Sequence, residues 1–220
     1  MAKSQVKSRR RVQDHGEVFT NEREVNAMLD MVKDETERVE SRFLEPACGD
    51  GNFLIEILRR KLAVVTSKYG RSKADWQHYA WLAVSSIYGV ELLEDNARAC
   101  RERLYRFVCD SHPFAGDDLF RDSVRFVLSK NILCGDALTM LQSDGTPITF
   151  AEWSFVRGER VKRRDYQLNH MLDANVRVGE QMDIFGGLMN SEYDESRNDF
   201  VPRAVHECPL RNWWEVAQDG

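Results

Sequence analysis

The feature that most constrains the fold of this 220-residue chain is an alternation of short apolar runs with longer amphipathic segments. Residues 42–45, 86–92 and 131–134 are rich in strand-forming side chains and are predicted as strands. Apolar residues at helical spacing predict helices at residues 22–40, 52–69, 74–84, 93–107 and 117–128. Because strands joined through helices pair in parallel, the sequence predicts a doubly wound, mainly parallel α/β sheet.

An unusual turn follows the first predicted strand, in the segment FLEPACGDGNFL at residues 43–54. Gly49 and Gly51 flank Asp50 there, between the strand and the next helix. A turn that only redirects the chain needs at most one residue at positive φ. Two glycines therefore suggest that something besides the chain itself approaches this backbone.

Acidic residues stand at the end of each predicted strand. Glu45 and Asp50 follow the first strand, Glu91 closes the second, and Asp136 follows the third. Ligands of open α/β sheets bind beyond the carboxyl ends of the strands, where a carboxylate can accept ribose hydroxyls or an exocyclic amine. An acid-rich loop disfavours pyrophosphate, which prefers bare N–H groups and cations. S-adenosylmethionine, with a sulfonium, an ammonium, a ribose and an adenine, fits better than NAD or ATP.

Four segments of the chain resemble, in order and spacing, motifs of the γ-class N6-adenine DNA methyltransferases of restriction–modification systems. They correspond to motifs X, I, II and III, and they are GEVFTNEREVNAMLD (16–30), FLEPACGDGNFL (43–54), IYGVELLEDN (87–96) and NILCGDAL (131–138). The resemblance covers roughly residues 15–140. It implies a Rossmann-like domain that binds S-adenosylmethionine and acts on DNA.

The resemblance also implies roles for individual residues. Phe19 and Thr20 would contact the methionine part of the cofactor. Glu91 would hold the ribose, and Asp136 would accept from the adenine amine. The pocket for the methionine part would be formed by the turn after the first strand, with Glu45, Ala47, Gly49, Asp50 and Gly51 as its cofactor-binding residues.

The catalytic motif of this family, D/N/S-P-P-Y/F/W, is absent. The chain has five prolines, of which no two are adjacent, and PITFAEWSF (147–155) stands where the motif is expected. Glu152 is a weak candidate to accept from a target amine, and Trp153 and Phe155 are weak candidates to stack on a flipped base. Three hypotheses stay open: a DNA adenine methyltransferase with a substitute motif, a catalytically silent cofactor-binding regulator or partner subunit, and a methyltransferase for RNA or protein.

The sequence divides into three parts by composition. Residues 1–14 are a basic, flexible arm, residues 15–145 are the cofactor-binding domain, and residues 146–220 are a β-hairpin with a C-terminal extension. A basic cluster follows the proposed hairpin turn, with DNA contact and a charge-guarded sheet edge as equal alternatives. Its members are Arg157, Arg160, Lys162, Arg163 and Arg164.

Composition and charge narrow the kinds of partner and site that this protein is expected to have. A net charge of −5 gives no overall signature of nucleic-acid binding, so any DNA contact has to be local. The five cysteines include no C-x-x-C pair and the histidines no ligand spacing, so no metal site or disulfide framework is expected and a reducing cytoplasm is the default. No apolar run is long enough for a membrane span or a secretory signal. A partner subunit supplying target recognition is a further expectation.

Overall fold

A computed structural model describes residues 8, 10, 11, 13, 20–169, 191–194 and 199–219. Phe19 and most of the basic arm lie outside these residues. The chain forms two compact units, Met1–Cys134 and Gly135–Gly220. The sequence places the change of character later, after residue 145.

The first unit contains all the predicted strands and helices of the α/β region. Its strands are β1 (Phe43–Glu45), β2 (Ile87–Glu91) and β3 (Ile132–Cys134). Its helices are α1 (Glu22–Asp30), α2 (Lys33–Thr36), α3 (Asn52–Tyr69), α4 (Lys73–Ser85), α5 (Glu94–Ser111) and α6 (Asp118–Asn131), with a 3-10 turn at Pro113–Gly116. The predicted strands and the four later helices are confirmed to within a few residues.

The three strands form one parallel sheet in the order β1-β2-β3. Glu45 pairs with Gly89, and Glu91 pairs with Cys134, so the carboxyl ends of all three strands lie at the same edge. This unit is therefore a mixed α/β structure with a parallel sheet, as predicted. In the described part of the chain β1 pairs only with β2, and no fourth strand extends the sheet.

A dense apolar core fixes the helices on the sheet. Every residue of β2 is buried, and Leu54 and Leu58 of α3 are fully buried beside it. Trp76 and Trp81 of α4 are also fully buried. The indole N–H of Trp81 donates to the Ser123 hydroxyl at 2.7 Å, so its one polar group is satisfied. The rigid sheet and helices hold the loops at the carboxyl edge in place.

The first helix is shorter than its periodicity predicts. Asn21 caps α1, because its side-chain oxygen accepts from the Glu24 N–H at 3.0 Å. The helix ends at Asp30, because Val32 has a non-helical backbone with φ −121° and ψ 36°. A four-residue helix, α2, follows, and the predicted single helix over 22–40 is wrong in this respect.

One lysine lies inside the first unit. The Lys61 ammonium donates to the Val39 carbonyl at 3.1 Å, to the Ser86 hydroxyl at 2.5 Å, and to the Ser41 carbonyl. Burial lowers the pKa of Lys61 to about 7, although the charges of Glu40 and Glu35 oppose this shift. These hydrogen bonds anchor the segment that leads into β1.

The second unit is built on an antiparallel hairpin, as predicted. Its strands are β4 (Thr149–Arg157), β5 (Arg160–Gln167), β6 (Ser191–Asp194), β7 (Asp199–Pro202), β8 (His206–Glu207) and β9 (Arg211–Asn212), followed by a 3-10 segment at Trp213–Asp219. Strands β8 and β9 both pair with β5, and β6 pairs with β7. Trp213 is buried, which docks the C-terminal segment on this unit.

Candidate functional site

The turn after β1 depends on both of its glycines. Gly49 has φ 55° and Gly51 has φ 91°, conformations that residues with a Cβ rarely adopt. The Gly51 N–H donates to the Cys48 carbonyl at 2.8 Å, and α3 begins at the next residue. This turn, residues 46–51, is called the glycine loop below.

The chain itself accounts for the second glycine. A Cβ placed on Gly51 would lie 2.7 Å from the Cys100 sulfur of α5. Likewise, a Cβ on Gly89 of β2 would lie 2.9 Å from the Cys48 sulfur. Gly51 is thus required by backbone conformation and by packing, so the inference that something outside the chain must approach it is not needed at this position.

Glu91 reaches the glycine loop through its side chain. Its Oε2 accepts from the Gly49 N–H at 2.9 Å, and its Oε1 accepts from the Leu93 N–H at 3.1 Å and from the Asn96 amide at 3.2 Å. A carboxylate has about four acceptor positions, so three of them are occupied here. Glu91 therefore joins the loop after β1 to the start of α5, and it keeps about one lone pair for a ligand.

Glu45 lies at the end of β1 and is half-buried. Its Oε1 accepts from the Ala47 N–H at 3.3 Å. Burial raises the pKa of Glu45, and the hydrogen bond from Ala47 partly offsets this shift. A half-buried carboxylate with little local compensation gains from a cationic group placed beside it.

A second network connects Thr20 with the glycine loop. The Asn52 amide donates to the Thr20 carbonyl at 2.9 Å, and the Arg103 guanidinium donates to the Asn52 side-chain oxygen at 3.0 Å. Arg103 also donates to the Asp50 carbonyl at 2.8 Å and forms an ion pair with the Asp50 carboxylate at 2.8 Å. The structure thus brings together Thr20 and Asp50, two predicted cofactor-binding residues. Sequence reasoning did not single out Arg103 or Asn52, because neither belongs to a recognisable spacing.

Asp136 belongs to the second unit, two residues beyond β3 in the chain. Its Oδ1 accepts from the Leu138 N–H at 2.8 Å, and its own N–H donates to the Leu141 carbonyl at 2.9 Å. One carboxylate oxygen is thus used to form a local turn. The predicted contact of Asp136 with an adenine amine stays a prediction.

The three weak catalytic candidates lie in strand β4. Glu152 and Trp153 are adjacent, so their side chains point to opposite faces of the sheet. Trp153 is buried, and the Arg163 guanidinium lies 5.8 Å from the centre of its ring. Phe155 is half-buried on the same face as Trp153. This geometry separates the proposed acceptor from the proposed stacking residues.

Acidic side chains neutralise most of the basic cluster. Lys162 pairs with Glu207 at 2.6 Å, and Arg164 pairs with the same carboxylate at 3.2 Å. Arg163 forms a bidentate pair with Asp165 at 2.7 and 2.8 Å. All three lie in β5, which pairs with β4 on one side and with β8 and β9 on the other, so they do not guard a sheet edge. Their acidic partners leave them poorly suited to a free DNA-binding surface.

The two remaining members of the cluster differ. Arg157 and Arg160 are exposed at the turn of the hairpin, and within the described residues neither has an acidic partner.

Arg11, in the arm, forms a bidentate pair with Asp95 of α5 at 2.7 and 3.0 Å. The flexibility of the arm stays a prediction.

Within the described ranges, no three His, Cys, Asp or Glu side chains are grouped so that they could hold a metal ion. No helix in that part of the chain is long and apolar enough to cross a membrane. No protein-family model, curated protein or solved structure matches this chain.

Proposed function

We propose that the first unit binds S-adenosylmethionine and belongs to the methyltransferase type, with DNA adenine as the substrate class that the motifs suggest. The observation that carries the proposal is the hydrogen bond between the Gly49 N–H and Glu91 at the carboxyl edge of the parallel sheet. It joins the loop of motif I to the acid of motif II, at the edge where open α/β sheets bind their ligands. The doubly wound topology is part of this proposal.

The carboxylates at this edge match the cationic and hydroxyl groups of the cofactor. Glu45 is a half-buried carboxylate whose pKa is raised by burial, and a neighbouring ammonium or sulfonium would stabilise its charged form. Glu91 keeps a lone pair for one ribose hydroxyl, while its other acceptors hold Gly49 and α5. Bound cofactor would supply an activated methyl group. The chain's own part is to bind and orient it.

A catalytically silent, cofactor-binding partner subunit is the second candidate. The observation that favours it is the alternation of Glu152 and Trp153 across strand β4, which prevents one base from meeting both. Transfer to an exocyclic amine depends on fixed acceptors for its protons, and small misplacements are costly. A methyltransferase for RNA or protein stays a third alternative, without an observation that favours it.

Replacing Glu45 by glutamine is expected to weaken cofactor binding by about 1.5–3 kcal/mol, the usual range for a hydrogen bond to a charged group. Glu45→Gln keeps the shape of the side chain and an acceptor for the Ala47 N–H, and it removes the charge. Isothermal titration calorimetry with S-adenosylmethionine and S-adenosylhomocysteine measures the loss.

Glu40→Gln is the matched control, because it removes the same charge from an exposed position shortly before β1. It is expected to leave the affinity unchanged. Absence of binding by the wild-type protein at millimolar cofactor would contradict the proposed function. Equal affinities of the wild type and Glu45→Gln would remove Glu45 from the pocket.

Methyl transfer by this chain alone is expected to be undetectable or very slow. The physical reason is the absence of paired prolines that would fix the acceptors for the target amine, together with the burial of Trp153. Incorporation of tritium from labelled cofactor into single- and double-stranded DNA measures it. Rapid turnover by the wild-type chain, abolished in Glu152→Ala, would instead establish a substitute catalytic motif in β4.

A further inference from the structure

The turn of the β4–β5 hairpin carries two facing positive charges. Arg157 and Arg160 are directly opposite each other in the register of the two strands, and both are exposed. Residues opposite each other across a strand pair lie close together, and like charges in such positions repel. Within the described residues no acidic side chain relieves this repulsion. Residues 156–160 are called the hairpin tip below.

The one acid of the hairpin tip is bound by the C-terminal segment. The Glu159 carboxylate accepts from the indole N–H of Trp213 at 2.5 Å, and its backbone carbonyl accepts from the Trp213 N–H at 3.0 Å. With two arginines and one glutamate, the tip carries a net positive charge. The basic residues further along β5 are paired with Glu207 and Asp165.

An exposed apolar side chain lies next to the two charges. The register of the hairpin shifts between Phe155 and Arg157, so that Val156 forms a bulge. Bulges re-aim side chains, and Val156 is 58% exposed. The tip therefore carries two exposed arginines and an exposed valine beside them, while β9 pairs with β5 on the other side of Arg160.

We propose that the hairpin tip contacts duplex DNA, with Arg157 and Arg160 on phosphates and Val156 against the groove wall. The choice of DNA as the polyanion rests on the proposed function, whereas the surface itself follows from the geometry of the second unit. A phosphate between the two guanidinium groups removes their mutual repulsion and accepts charge-assisted hydrogen bonds. Exposed basic side chains match the phosphates of a duplex, and an exposed apolar side chain beside them can contact the groove wall.

Contacts to phosphates position a protein on DNA and carry no sequence information. The tip is therefore expected to give binding that depends steeply on salt and little on sequence. Each phosphate contact contributes about 0.9 to the slope of log K against log salt concentration on duplex DNA. The two arginines together are expected to account for about 2 of this slope.

The test measures the affinity of the full chain for a fluorescent, mixed-sequence DNA duplex over a range of salt concentrations, by anisotropy. The double variant Arg157→Gln/Arg160→Gln is expected to lose about 2 from the slope and at least about tenfold in affinity near 50 mM salt. Lys162→Gln/Arg164→Gln removes the same charge from paired positions of the same hairpin, and its slope is expected to match the wild type. Val156→Ser is expected to lower the affinity severalfold at an unchanged slope.

The alternative results separate the hairpin tip from the proposed function. Absence of duplex binding by the wild-type chain at low salt would overturn it, and so would equal loss of slope in the two double variants. Tighter binding to an RNA duplex of the same sequence would overturn the choice of DNA. Failure to bind S-adenosylmethionine, with the slope difference intact, would remove the proposed function and leave the DNA-contacting tip.

Discussion

The wild-type protein is expected to gain stability relative to a Lys61→Met variant as the pH rises, by about 4 kcal/mol between about pH 7 and pH 10. The Lys61 ammonium is fully buried, and burial lowers its pKa to about 7. In the unfolded chain its pKa returns to about 10.4. Urea denaturation followed by circular dichroism at several pH values measures the difference, since helices α1 to α6 belong to the first unit.

The direction of this pH dependence follows from the number of protons that Lys61 binds in the folded and in the unfolded protein. Below about pH 7 Lys61 is protonated in the folded and in the unfolded protein, so it gives no pH dependence. Between about pH 7 and pH 10.4 the unfolded state holds a proton that the folded state has released, so the free energy of unfolding rises with pH. Above that range both states are neutral at this residue, and the difference is constant.

Comparison with a variant is necessary because other groups act in the opposite direction. Burial raises the pKa of Cys134 to about 11, and a thiol of this kind lowers stability once the pH exceeds its usual value. Such contributions are shared by the wild type and the variant and cancel. Lys68→Met, at an exposed position of the same helix, is the control and should show no pH-dependent difference. A flat difference for Lys61→Met would mean that its three acceptors keep the ammonium charged throughout.

Local periodicity was enough to predict most of the first unit. The boundaries of α3 at Asn52 and Tyr69 agree with the prediction, because apolar residues at three- and four-residue spacing specify its buried face. The same spacing places Lys61 on that face, three residues after Leu58. The periodicity therefore contained a signal for a buried lysine, which the prediction did not use. The acceptors of its ammonium come from other segments and are not visible in the sequence.

The candidate site also depends on contacts between distant segments, which the sequence does not show. A strand-end acid at Glu91 is a local pattern, but its hydrogen bond to Gly49 joins residues that are far apart in the chain. The ion pairs of Lys162 and Arg164 depend on Glu207 in a different strand. A sequence shows the cluster of charges but not the partners that neutralise it. Of the five residues of the basic cluster, only Arg157 and Arg160, at the hairpin turn, are exposed.

Replacing Gly51 by alanine is expected to destabilise the first unit by about 4 kcal/mol, adding backbone strain to overpacking. At φ 91° a residue with a Cβ is strained, and the new Cβ would lie 2.7 Å from the Cys100 sulfur. Gly89→Ala produces a similar close contact with the Cys48 sulfur, at 2.9 Å, without a positive φ. It is expected to cost about 1–3 kcal/mol, the usual range for overpacking alone. Amide hydrogen exchange in α3 and β2 reports the stability of the first unit by itself.

Combining each glycine-to-alanine change with alanine at the neighbouring cysteine separates the cost of overpacking from the cost of backbone strain. Gly51→Ala/Cys100→Ala is expected to recover the overpacking part and to retain the loss from backbone strain, because the sulfur is gone while φ 91° remains. Gly89→Ala/Cys48→Ala has no such strain but is expected to recover only part of the overpacking, because the new Cβ would still lie 3.0 Å from Leu54 Cδ1 and 3.1 Å from the Cβ of residue 48. Strictly additive losses in both combinations would mean that the sulfurs are not what excludes a Cβ. In that case the positive φ of Gly51 would be the remaining reason for its glycine.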